Sequence, residues 1–145
     1  MKGRCKVLVM GMYTELVLGM CIKPKTSIIK TLEYMLGESD IDPRTLYMLD
    51  HPLFKSERWE WMLRSTSAYF DGSTQHLLTY DELLDEYHLN VRCDLKNYSQ
   101  EIEKFLDWLC PYILTEGFLG YMRYEEFDYP TLIYRYDSTI YTLRV

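Results

Sequence analysis

Alternation of apolar and polar side chains is the feature that most limits the folds open to this chain. In residues 12–23, MYTELVLGMCIK, every second side chain from position 16 is apolar, and this set is Leu16, Leu18, Met20 and Ile22. A period of two places such side chains on one face of a β-strand. The segment therefore predicts a strand with one face in the core, which needs neighbouring strands and a covering layer.

Two amphipathic helices and several further strands follow along the chain. The helices are predicted from Thr26 or Ser27 to Gly37, and from a cap at Asn97 or Ser99 to Pro111. The further strands are predicted at residues 58–70, as a hairpin over 76–96, and at 117–126, 131–136 and 137–145, the last two joined at Asp137-Ser138. Residues 38–56 predict a long connection with one or two short helical turns. The predicted fold is α+β, an antiparallel sheet with two helices packed on one face and quasi-twofold similarity between its halves.

The length and composition favour one ordered domain. The chain has 145 residues, 48% of them hydrophobic and 15% aromatic, which is enough to bury a core. It contains no Ser/Gly-rich linker and no low-complexity tract. Residues 1–145 are therefore predicted to form a single α+β domain.

Charge is distributed unevenly along the chain. Residues 1–35 carry six basic and two acidic side chains, and the remaining residues carry ten basic and twenty acidic ones. Phosphate-binding surfaces need clustered Lys and Arg, so most of this chain should repel nucleic acid. A nucleic-acid binder that uses the basic residues of the first third of the chain is a further hypothesis, ranked behind the two given below.

The segment YMRYEEFDYPTLIYRY, residues 121–136, concentrates tyrosines and carboxylates. Tyrosines suit β-sheets for structural reasons, since a ring half-buries while its hydroxyl reaches water. They are also favoured at protein interfaces, and carboxylates among them attract basic surfaces. The sequence therefore predicts a surface for a partner protein with a basic face, and its residues are Tyr121, Tyr124, Glu125, Glu126, Asp128 and Tyr129.

Evidence for an enzyme or a metal site is weaker. The cysteines at positions 5, 21, 93 and 110 form no CxxC pair, and three histidines have no ligand spacing, so we expect no metal and no cofactor. The best catalytic set is Asp50, His51, Glu57 and Glu60, joined by His76 and His88 only if the fold brings them near. The sequence favours a non-enzymatic protein, with a small hydrolase or nuclease-like enzyme centred on His51 as the alternative.

The sequence also predicts a cytoplasmic protein. Its longest apolar-leaning run, residues 7–22, is interrupted by polar residues and glycines and falls short of a membrane span of about 20 residues. No signal-peptide cleavage pattern follows the first apolar patch. An unpaired strand at a sheet edge would allow the chain to associate with itself.

Six segments carry a resemblance to known proteins, and they are MGMYTELVL, HPLF, RWEW, LKNYSQEIEKFLDWL, GYMRYEE and PTLIY. The chain resembles small uncharacterised accessory proteins of bacteriophages and prophages, which begin near the first of these segments. The resemblance covers residues 10–135 and carries no catalytic residue. It implies that residues 1–9 are an extension. It further implies an accessory protein that binds and inhibits a host protein, for which a nucleic-acid-handling protein is the expected kind.

Overall fold

A computed structural model describes residues 12–144, which contain six β-strands and two α-helices. The strands are β1 (Thr14–Ile22), β2 (Gln75–Asp81), β3 (Glu86–Leu95), β4 (Gly117–Tyr124), β5 (Thr131–Tyr136) and β6 (Thr139–Arg144). The helices are α1 (Thr26–Met35) and α2 (Glu101–Leu109). All neighbouring strands are antiparallel, in the order β2-β3-β1-β4-β5-β6. The predicted α+β class is confirmed, and the quasi-twofold similarity stays a prediction.

Strand β1 lies at the centre of the sheet. Its Leu18 is paired with Val91 of β3 on one side and with Gly120 of β4 on the other. Paired side chains project from the same face, so the apolar positions of β1 and β3 form one continuous buried surface. Its members are Leu16, Leu18, Met20, Ile22, Leu89, Val91, Cys93 and Leu95. The strands predicted from alternation at both positions are confirmed.

Both helices cover that buried surface. Their buried stripes, Ile28, Ile29, Leu32 and Met35 in α1 and Ile102, Phe105, Leu106 and Leu109 in α2, belong to the same hydrophobic cluster as the strands. Gly37, with a φ of 78°, follows the end of α1 as predicted. The backbone N–H of Ile102 donates to Oδ1 of Asn97 at 2.8 Å, so Asn97 caps α2 although Gln100 precedes the first helical residue. In the described range no helix is long and apolar enough to cross a membrane.

The strand predicted at residues 58–70 is wrong. The segment forms turns and a short 3-10 helix at Met62–Arg64. Its buried side chains are Trp59, Met62 and Leu63, whereas Trp61 is exposed. These buried positions lie three and four residues apart, which is a helical spacing. The segment therefore packs as helical turns over the core and leaves the sheet to other residues.

The remaining connections follow the predictions. Short 3-10 helices at Pro43–Thr45 and Pro52–Lys55 interrupt the long connection after α1. The β2–β3 hairpin is confirmed. The hairpin between β5 and β6 turns at Asp137 and Ser138, whose φ values of 53° and 58° are left-handed.

The face of the sheet opposite the helices, which we call the open face, carries a charged network. Glu15 of β1 lies between Asp94 of β3 and Arg123 of β4. Arg92 Nη2 lies 2.8 Å from Glu15 Oε2 and 2.9 Å from Asp94 Oδ1, and Arg123 Nη2 lies 3.1 Å from Glu15 Oε1. Ser67 Oγ donates to Asp94 Oδ2 at 3.2 Å. The network joins the three central strands and the loop that crosses this face.

Candidate functional site

The six residues predicted for partner binding lie in three different places. Tyr121 is half-buried on the open face of β4, where it is paired with Val17. Tyr124 ends β4 on the helix side, opposite Thr14. The other four follow β4 in the turn that leads to β5. The six residues therefore do not form the one continuous surface that the sequence predicts.

Glu125 serves the fold of the chain. Its Oε1 accepts a hydrogen bond from the backbone N–H of Tyr13 at 2.6 Å. Its own backbone N–H donates to the carbonyl oxygen of Tyr13 at 3.0 Å. These bonds continue the β1–β4 ladder by one residue, so Glu125 is the predicted site residue least free to contact a partner.

Glu126, Asp128 and Tyr129 form an exposed group, which we call the acidic tip. Tyr129 has 66% of its surface exposed. Neither carboxylate forms a salt bridge with a residue between positions 12 and 144. Arg123 binds Glu15 and Arg135 binds Glu116, whereas Arg144 packs on the neighbouring ring of Phe127 without a salt bridge to either carboxylate. The acidic tip therefore presents to solvent an aromatic ring and two carboxylates without salt bridges to the described residues.

Beside the acidic tip lies a cleft of about 370 Å³, which we call the aromatic cleft. The start of α2 and the ends of β1, β4 and β5 enclose it. Its lining residues are Met12, Thr14, Asn97, Tyr98, Glu103, Met122, Tyr124, Phe127 and Thr131. Three of these are aromatic, and the ring centroids of Tyr124 and Phe127 are 5.5 Å apart in an edge-to-face arrangement. The cleft thus combines π faces, methionine side chains and the carboxylate of Glu103.

The electrostatics of the aromatic cleft favour a cation. Burial raises the pKa of Tyr124, and the negative charges of Glu126 and Glu125 raise it further. The same negative potential attracts a positive group. The phenol therefore remains protonated at neutral pH and can donate a hydrogen bond.

Two rings of the cleft already bind guanidinium groups of this chain. The guanidinium carbon of Arg58 lies 5.2 Å from the ring centroid of Tyr98. That of Arg144 lies 4.5 Å from the centroid of Phe127. Both distances are within the range of cation–π contacts. The aromatic surface around the cleft is therefore chemically suited to Lys and Arg side chains.

The set predicted around His51 is arranged differently from the sequence-based hypothesis. His51 Nδ1 accepts from the backbone N–H of Leu53 at 3.0 Å, and Nε2 lies 2.8 Å from Oδ2 of Asp107. Glu60 instead accepts from the Tyr34 hydroxyl at 2.6 Å and also binds Arg44. With Nδ1 accepting, Nε2 carries the proton and donates it to Asp107, so neither ring nitrogen is free to act as a base.

Asp50 lies directly before His51, but the remaining residues of that set are scattered. Glu57 is exposed, His76 lies on β2 and His88 on β3. Asp50, His51 and Asp107 border a broad groove of about 850 Å³. The groove offers space for a ligand, but both ring nitrogens of the histidine in its wall already form hydrogen bonds within the chain.

Sequence reasoning missed the contributions of α2 to the cleft. Tyr98 and Glu103 come from the residues around the start of that helix, and their approach to Tyr124 depends on how the helix packs. It also missed a set of metal-ligating residue types. Cys21, Glu86 and His88 lie together on the open face, far from the aromatic cleft.

The chain was compared with protein-family models, with curated proteins and with solved structures. No match was found in any of the three comparisons.

Proposed function

We propose that this chain is a non-enzymatic binding protein that captures a basic segment of another protein. A Lys or Arg side chain of the partner enters the aromatic cleft, and neighbouring basic residues contact the acidic tip. The observation that carries the proposal is the position of Tyr124. This residue lines the cleft, and the negative charges of Glu126 and Glu125 raise the pKa of its hydroxyl.

The size of the cleft supports this kind of ligand. At about 370 Å³ it lies at the small end of the range for ligand pockets. One long side chain fits such a volume, with its aliphatic part against Met122 and the rings and its charge near Glu103. Tyr98 and Phe127 are 54% and 42% exposed, so a partner can reach both.

The nature of the partner follows from charge and from the resemblance. The acidic tip repels polyanions and attracts surfaces rich in Lys and Arg, which are typical of proteins that handle nucleic acid. The resemblance to phage and prophage accessory proteins supplies the context of a host protein in the cytoplasm. The proposed role is inhibition of that host protein by occupation of its basic surface.

The enzymatic alternative has less support. A small hydrolase or nuclease-like enzyme centred on His51 would need a ring nitrogen available for proton transfer. The bonds from Leu53 and to Asp107 occupy both nitrogens.

A binding assay with four matched variants tests the proposal. The probe is a fluorescent peptide that contains Lys and Arg between neutral residues, and fluorescence anisotropy measures its dissociation constant. Tyr124→Ala removes a ring of the cleft, and Glu126→Lys reverses a charge of the tip. The controls are Tyr141→Ala, an exposed tyrosine of β6, and Glu82→Lys, an exposed residue of the β2–β3 turn.

Loss of a ring–cation contact of about 1–2 kcal/mol weakens binding about 5- to 30-fold. We expect this loss for Tyr124→Ala and a comparable one for Glu126→Lys, with both controls within twofold of the parent protein. Equal weakening by Glu126→Lys and Glu82→Lys would show that only net charge matters. That result, or unchanged binding by Tyr124→Ala, would contradict the proposed site.

A further inference from the structure

Three strands bring four metal-ligating side chains together at one end of the open face. Cys21 of β1 is directly opposite His88 of β3, and Asp81 of β2 is directly opposite Glu86 of β3. Glu86 and His88 are two residues apart on one strand, so they project from the same face. The thiol, the imidazole and the two carboxylates therefore converge through strand register alone.

The distances suit one small cation. Cys21 Sγ lies 3.7 Å from His88 Nδ1. One ligand atom each from Cys21, Glu86 and His88 lies within 4.8 Å of the others. In a tetrahedral zinc site, a sulfur and a nitrogen ligand lie about 3.5 Å apart, given their usual bond lengths. The sulfur and the nitrogen are thus already close to the spacing that the ion requires.

The remaining carboxylate is placed to orient the imidazole. Asp81 Oδ2 and Glu86 Oε2 each lie 3.5 Å from His88 Nε2. Oδ1 of Asp81 accepts hydrogen bonds from the backbone N–H groups of Leu83 and Leu84, at 3.0 and 3.2 Å, which fixes this side chain in the turn. An imidazole that binds metal through one nitrogen commonly donates its other N–H to such a carboxylate.

The backbone around Cys21 is held on both sides. Its N–H donates to Thr115 Oγ1 at 2.9 Å, and its carbonyl oxygen accepts from the N–H of Leu114 at 2.8 Å. On the other side β3 pairs along the whole of β1. A ligand on such a strand needs little reorganisation when an ion binds.

The negative charges around the sulfur favour the binding of a cation. Burial raises the pKa of the Cys21 thiol, and the neighbouring Glu86 carboxylate raises it further. Among the described residues, no Lys or Arg lies within salt-bridge distance of Glu86 or Asp81. A bound divalent ion reverses this balance, because it stabilises the thiolate and the thiol proton leaves to solvent.

We propose that Cys21, His88 and Glu86 bind one zinc ion, that Asp81 orients His88, and that the fourth coordination position faces solvent. Nδ1 of His88 is the ligand atom. Rotation of the Glu86 side chain moves its carboxylate from beside Nε2 of His88 to the ion. The sulfur and nitrogen ligands select zinc and its spectroscopic substitute cobalt(II) over magnesium or calcium. Partial exposure of His88 leaves a path for the ion.

Cobalt(II) titration of the full chain tests the site. Cys5→Ser serves as the background, so that Cys21, Cys93 and Cys110 are the remaining thiols, and the last two are buried. We expect a thiolate-to-cobalt charge-transfer band in the near ultraviolet that zinc displaces and magnesium does not. Cys21→Ser abolishes the band, whereas the control Cys110→Ser retains it.

Variants of the other residues separate ligands from the orienting carboxylate. We expect Asp81→Asn to retain the band and to weaken cobalt affinity about 10- to 100-fold. His88→Ala and Glu86→Gln should weaken it more. A band that survives Cys21→Ser, or no band at all, would overturn the proposal.

A measurement on the background protein alone guards against misfolded variants. Zinc should slow the alkylation of Cys21, which mass spectrometry measures over time. A chelator should restore the alkylation rate. An alkylation rate that zinc leaves unchanged would also overturn the proposal.

Discussion

Removal of Arg92 is the sharpest test of how the open face is held together. Arg92 is the salt-bridge partner of Asp94, which is fully buried, and one of two arginines that bind Glu15. Arg92→Met keeps the unbranched apolar part of the side chain and removes the charged guanidinium group. Removing one partner of a buried ion pair usually lowers the free energy of unfolding by about 3–5 kcal/mol, because the other charge stays buried alone. That is a large part of the total stability of about 5–15 kcal/mol for an ordinary domain.

The loss should depend on pH, with a defined sign. Burial raises the pKa of Asp94, and Arg92 opposes this rise. In Arg92→Met the pKa rises further, so between about pH 4 and that raised pKa the folded chain holds a proton that the unfolded chain releases. The free energy of unfolding of the variant then increases as the pH falls from 7 toward 5. The difference from the parent protein should narrow over the same range.

Urea denaturation of four proteins at pH 7 and pH 5 provides the measurement. They are the parent protein, Arg92→Met, the double variant Arg92→Met/Asp94→Asn, and the control Lys30→Met. Asp94→Asn should recover at least about 1 kcal/mol of the loss, because no buried charge then lacks its partner. Lys30 belongs to an exposed pair with Glu33 at 3.5 Å, and its removal should change stability by less than about 1 kcal/mol. A loss for Arg92→Met that matches the Lys30→Met loss, or that neither pH nor Asp94→Asn reduces, would refute the reasoning.

Two further predictions concern the backbone. A Cβ at Gly120 would lie 1.9 Å from the carbonyl oxygen of Val17, so Gly120→Ala should lower the free energy of unfolding by about 4 kcal/mol or more. The control Gly117→Ala meets its nearest atom at 3.9 Å and should lose only about 1–2 kcal/mol from its φ of 99°, and equal losses in urea denaturation would contradict the β1–β4 register. The double change Asp137→Asn and Ser138→Gly should raise Tm by a few degrees, because Asn and Gly adopt the left-handed turn more readily. Calorimetry that shows an unchanged or lower Tm would count against a turn of this type.

The strands that could be predicted are those whose burial pattern is local. In β1 one face is buried along the whole strand, and in β3 it is buried from Leu89 to Leu95, so a period of two appears directly in the sequence. The failure at residues 58–70 has a tertiary cause. The ring of Trp59 packs 4.8 Å from Phe54 and 6.0 Å from Tyr34, and these contacts on the helix side decide its burial. The residues next to Trp59 do not reveal these contacts. The two-residue spacing of Trp59 and Trp61 matches the alternation of a strand, which led to the wrong prediction.

The candidate site shows the same division. The richness of residues 121–136 in rings and carboxylates is visible in the sequence, but the end of β4 at Tyr124 is not. Once the strand ends, alternation no longer tells which way Glu125 and Glu126 point. The convergence of Cys21 with His88 depends on the pairing of β1 with β3, and the sequence shows only that both residues lie on the polar side of their strands. The missing information was therefore the end of β4 in the first case and the strand pairing in the second.

The central position of β1 has a consequence for how the protein is made. Thr14 is paired with Leu95 and with Tyr124, both far along the chain, so β1 leaves the ribosome well before these partners are synthesised. Contacts of such long sequence separation slow folding, since a large loop must close before they form. Until β4 emerges, one hydrogen-bonding edge of β1 is open to wrong partners in the nascent chain. We therefore expect folding to be completed late in synthesis or after release.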